Sequence, residues 1–125
     1  MDLNEYQVKS RKTAMYPILE MPRLKKPYSY YPETSRMGFL YPALGLAGEA
    51  GEVLENIKRI IRDDEGKITE KRRGKIEKEL GDTLWYLAQL ATEFSIPLDS
   101  IAKSNLKKLN IRLKNNKIKG EGDNR

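Results

Sequence analysis

Residues 44–56 read LGLAGEAGEVLEN, and a second acidic motif, ELGD, stands at residues 79–82. Around the first stretch, apolar residues recur at 46, 50, 53, 57 and 60, with 54 and 61 widening the stripe, which is the spacing of an amphipathic helix. Pro42 suits the first turn of such a helix and the DDEG segment at 63–66 suits its end, so a helix is expected over about residues 42–62. Gly45, Gly48 and Gly51 run against this, each at roughly 1 kcal/mol of helix propensity. Glycines in a helix are reasonable where a neighbouring backbone or a ligand must come close.

On a helical wheel Glu49 and Glu52 lie about 60° apart and sit at the edge of the apolar arc. A further helix is expected over about 70–94, with Ile76, Leu80, Thr83, Leu84, Leu87, Leu90, Ala91 and Phe94 on one arc. Glu79 and Asp82 stand in the same relation to that arc, again about 60° apart. Four carboxylates at a helix–helix seam repel one another unless protons or cations neutralise them. A divalent ion held between the two helices resolves the conflict, although a lone ExxE or ExxD pair is common on solvated faces.

The remaining chain reads as helix and loop. Asp2 and Glu5 have capping-box spacing and open a helix expected over about 3–15. Residues 17–42 are rich in proline and tyrosine and read as an ordered aromatic loop, in which Tyr28, Tyr30, Tyr31 and Tyr41 are read as loop packing ahead of base stacking. A last helix starts near Leu98 or Asp99 and carries Ile101, Ala102, Leu106, Leu109 and Leu113, before a polar tail at 114–125. No convincing strand or tandem repeat is present, so the fold class is all-α, a single domain spanning 1–125.

Composition narrows the chemistry. The chain contains no His and no Cys, which removes imidazole acid–base catalysis, thiolate nucleophiles and ordinary zinc sites. Oxygen-only ligands favour Mg²⁺, with Mn²⁺ also possible. The N-terminus lacks the apolar segment of a signal peptide and no run is long enough to span a bilayer, so a cytoplasmic, membrane-free protein is expected. The net charge of +6 is concentrated in KRRGK at 71–75, read as a solvated helix start, and after residue 103. It suits any polyanion, nucleotide or nucleic acid. On the fourth helix Asn105, Lys108 and Arg112 lie together at the apolar edge. Lys108 and Arg112 are read equally as side chains snorkelling from a core boundary and as phosphate contacts.

The run GLAGEAGEVLENIKR, then ELGDTLWYLAQLA, then NLKKLNIR, resembles the MazG-like nucleoside triphosphate pyrophosphohydrolases over about residues 38–113. Their signature, ExxE followed by ExxD, is matched by Glu49, Glu52, Glu79 and Asp82. The resemblance implies a four-helix bundle completed in a homodimer or homotetramer. It also implies Mg²⁺-dependent cleavage of a (deoxy)nucleoside triphosphate to monophosphate and pyrophosphate. The four acids would hold the metal, with Glu49 or Glu52 as base. Asn105, Lys108 and Arg112 would meet the substrate. The closing GEGDNR looks like the tail of single-domain members, and Asp123 and Arg125 would fold back over the nucleotide. The proline- and tyrosine-rich segment is longer than this pattern expects. The rival reading is a non-catalytic helical module that binds nucleic acid, which leaves four carboxylates unexplained because near a DNA-facing surface they would repel phosphate; a third is a member that binds nucleotide without turning it over.

Overall fold

The computed structural model describes residues 1–20 and 36–119. Helix α1 spans Leu3–Ser10, followed by a 3₁₀ turn at Arg11–Thr13; strands β1 (Leu19–Glu20) and β2 (Arg36–Met37) follow, then α2 (Leu40–Asp63), α3 (Glu70–Glu93) and α4 (Leu98–Lys114). Asp2 caps α1 as expected, its Oδ1 accepting from the Glu5 amide at 2.7 Å. The helix is shorter than the expected 3–15. Ser10 Oγ donates back to the Gln7 carbonyl and Thr13 Oγ1 to the Ser10 carbonyl, and such side-chain bonds compete with the helical ladder.

The ends of the proline- and tyrosine-rich segment pair as a two-residue antiparallel ladder, Leu19 opposite Met37 and Glu20 opposite Arg36. Sequence alone indicated no strand there, since two residues carry no alternation to read. Tyr28, Tyr30 and Tyr31 lie outside the described residues. Tyr41 proves to be helical, because α2 begins two residues before Pro42.

Helices α2 and α3 form the main packed pair, joined by the short connection 64–69 and therefore antiparallel. Glu65 (φ 54°) and Gly66 (φ 76°) turn the chain through the left-handed region, and the Gly66 amide satisfies the Ile60 carbonyl at 2.9 Å. Across this turn lies a correction to the sequence reading. Within KRRGK, expected to be a solvated helix start, Arg72 is buried. Its Nε donates to Asp64 Oδ2 at 2.7 Å and its Nη1 to Asn56 Oδ1 at 3.2 Å, while Asn56 Nδ2 donates to the Glu52 carbonyl at 3.1 Å. A guanidinium with buried Asn56 on one side and half-buried Asp64 on the other is held inside by hydrogen bonds that a helical wheel does not show.

Helix α4 is attached through α1. Gln7 Oε1 accepts from the Leu98 amide (2.8 Å) and Asn4 Oδ1 from the Asp99 amide (3.1 Å), so two α1 side chains cap the first turn of α4. Gln7 Nε2 also holds the end of α3, donating to Thr92 Oγ1 and to the Ile96 carbonyl. The buried hydrophobic core is Ala88, Ala91 and Leu98, with Leu3, Tyr6, Leu84 and Leu87 packed around it. Several residues expected on buried arcs are instead exposed in the single chain: Ile57, Leu80, Phe94, Leu106, Leu109 and Leu113. The arcs are real, but α4 packs on α1 and leaves one side of the α2–α3 pair uncovered. Among the described residues no helix is long and apolar enough to cross a membrane.

Candidate metal centre

The antiparallel α2–α3 pair brings the two acidic motifs together. Glu49, Glu79 and Asp82 each offer a carboxylate oxygen, and these oxygens lie within 4.8 Å of one another. Glu49 and Glu79 are half-buried and Asp82 is exposed, so the trio lines the rim of the seam, open to solvent on one side. Burial, then the charges of Asp82, Glu52 and Glu79, push the Glu49 carboxyl above its ordinary range. Glu52 lies outside the trio on the exposed face of α2, yet its charge is felt at Glu49. Among the described residues, the charges that raise Glu49 are all carboxylates. Three oxygen donors so placed, in a chain without His or Cys, fit a hard divalent cation.

Asn105 and Lys108 line an open groove of about 480 Å³ with Ile96, Ser100, Ile101 and Ser104. Arg112 is buried at 6 % exposure, an interior placement that the snorkelling reading did not anticipate. Asp123 and Arg125 lie outside the described residues.

The structure also shows neighbours of the acids that the sequence reading passed over. The Tyr86 ring lies directly over Gly45, where a Cβ would run into it. Burial pushes the Tyr86 phenol up first, followed by Tyr41 and then by the charges of Glu49 and Asp82. Tyr6 of α1 is likewise raised, by burial and then by Asp82. Tyr86 could have been found: it follows Asp82 by four residues and so shares its helical face. The glycines divide in consequence. Gly45 makes room for Tyr86, whereas nothing lies within 4 Å of where a Cβ on Gly48 or Gly51 would stand.

A family profile described as the MazG nucleotide pyrophosphohydrolase domain matches residues 41–116, which contain both acidic motifs. The Gene 37 protein of Mycobacterium phage L5 is 38 % identical over 125 residues, covering all of both chains. No solved structure gives a significant match.

Proposed function

The chain belongs to the MazG nucleotide pyrophosphohydrolase family, and from that premise we propose that it hydrolyses (deoxy)nucleoside triphosphates to the monophosphate and pyrophosphate. The observation that carries the reading is the convergence of Glu49, Glu79 and Asp82 from two helices in a chain without His or Cys. These three, with Glu52 beside them, would hold Mg²⁺, or Mn²⁺ in its place. When bound, the ion supplies neutralisation of phosphate charge and acidifies water. Glu49 or Glu52 takes a proton from the attacking water as its oxygen bonds to the α-phosphorus. The α–β phosphoanhydride bond breaks, and its electron pair leaves with pyrophosphate.

Lys108 is assigned to the charge of the leaving pyrophosphate, Asn105 to a phosphate or sugar oxygen, and Arg112 to the same anionic end. Because Asn105 and Lys108 line a groove of their own on α4, their role is best met in a site that a second copy completes. Asp123 and Arg125 are assigned to closure of the tail over bound nucleotide.

A panel of NTPs and dNTPs with Mg²⁺ and a pyrophosphate-release assay tests the reaction. Release is expected with at least one triphosphate, lost on adding EDTA and restored by Mg²⁺ or Mn²⁺, with Ca²⁺ supporting little turnover because its looser coordination orients water poorly. A chain that releases no pyrophosphate from any triphosphate yet binds nucleic acid, as a pI of 9.5 would allow, would replace this reading with the non-catalytic one.

Association into a homodimer or homotetramer is part of the same proposal. Among the described residues, three buried hydrophobic side chains are a small core for a chain this long, while Leu44, Leu54, Ile57, Ile61, Leu80, Leu106 and Leu113 stand exposed. Light scattering at micromolar concentration is expected to give at least twice the monomer mass of 14.4 kDa. A monomer at every concentration would contradict it.

A further inference from the structure

We propose that Tyr41 is the specificity-determining residue on which the base of the nucleotide stacks, an assignment that rests on the triphosphate reading above. Tyr41 stands in the first turn of α2 and is 44 % exposed as a residue. One side of its ring is covered by Tyr16, stacked at 5.4 Å and 10°. Tyr16 is itself fixed: its hydroxyl donates to Glu93 Oε1 (2.5 Å), Arg11 donates to both of them, and Trp85 meets its ring edge-on at 6.3 Å. The Glu93 carboxylate in turn abuts buried Gly38, where a Cβ would run into it. The Tyr41 ring is therefore a backed platform, and little order remains to be imposed when a ligand arrives.

From Tyr41 one face of α2 leads to the acids. Gly45, Gly48 and Glu52 follow at four, seven and eleven residues, with Glu49 on the flank. Tyr41 and Glu49 are separated by about 12 Å along the helix axis at 1.5 Å per residue, a span on the scale of a nucleotide. Between them the Tyr86 ring covers Gly45, whereas Gly48 is open among the described residues. Tyr86, edge-on to Trp85 at 4.9 Å and tilted 41° to the Tyr41 ring with centroids 6.4 Å apart, forms the wall on that side. With the triphosphate at the carboxylates, the sugar lies over Gly48 and the base reaches Tyr41. Stacking of this kind tolerates any base, so Tyr41 separates nucleotides from base-free polyphosphates more than it separates one base from another.

The test compares equilibrium binding of dATP, dCTP and inorganic tripolyphosphate in Ca²⁺, by calorimetry, for the wild type, Tyr41→Ala and Tyr41→Phe. Tyr41→Ala is expected to weaken both nucleotides by about tenfold or more and to leave tripolyphosphate unchanged. Tyr41→Phe, which keeps the ring, should bind all three like the wild type. Equal nucleotide affinity in wild type and Tyr41→Ala overturns the proposal, and so does an equal loss for tripolyphosphate, which would report a general disturbance of the site. Because binding is read without turnover, failure of the hydrolytic reading appears separately, as a wild type that binds nucleotide and releases no pyrophosphate.

Discussion

Asp82→Asn is expected to lower kcat by about a thousandfold or more while far-UV circular dichroism stays unchanged. The substitution removes one of three oxygen donors that converge within 4.8 Å, and an amide oxygen carries no formal charge to hold a divalent ion. Asp82 is exposed, so the isosteric amide fits without repacking. Metal-free Asp82→Asn should melt no lower than the metal-free wild type, because the charge that most strongly disfavours ionised Glu49 has gone. Glu77→Gln, on an exposed position of the same helix, serves as the control and should retain wild-type kcat. Activity of Asp82→Asn within a few-fold of wild type would take the carboxylate cluster out of the mechanism.

Which parts of this centre could be read from the chain follows from how each is encoded. The four acids were legible because ExxE and ExxD repeat one spacing at one edge of two apolar arcs, a relation internal to each helix. That Glu49, Glu79 and Asp82 converge while Glu52 stands aside depends on the rotation of α2 against α3, which periodicity does not carry. The helices themselves were placed to within a residue or two except at α1, where serine and threonine hydroxyls end the ladder early. Burial was the least legible property. Leu106 and Leu113 have the spacing of core residues and are exposed, whereas Arg72 and Arg112 have the composition of surface residues and are buried. Periodicity marks a face that wants a partner and is silent on whether that partner belongs to the same chain. Tyr16, Trp85 and Glu93 escaped notice because their contacts join residues more than seventy positions apart.

Arg72→Met is expected to destabilise the fold by about 2–4 kcal/mol, the loss that follows when one member of a mostly buried charge pair is removed and the other stays behind. Asp64 would remain with its carboxylate at 18 % exposure and no guanidinium, and Asn56 Oδ1 would lose its donor. At about 4 °C per kcal/mol for a chain of this size, Tm should fall by about 10 °C at fixed protein concentration. The consequence reaches the metal centre through register. Asn56 follows Glu49 by seven residues and Arg72 precedes Glu79 by seven, so on two antiparallel helices the Asn56–Arg72 bond lies two turns below the acids on the same faces. It pins the height at which ExxE meets ExxD. Arg72→Lys is not expected to restore the wild type, because a single ammonium cannot serve Asp64 through two nitrogens and Asn56 through a third. Thermal unfolding of the two variants beside Arg73→Met, an exposed neighbour, decides the matter. If Arg72→Met melts within 2 °C of Arg73→Met, the network is incidental and the register of α2 against α3 is held by apolar packing alone.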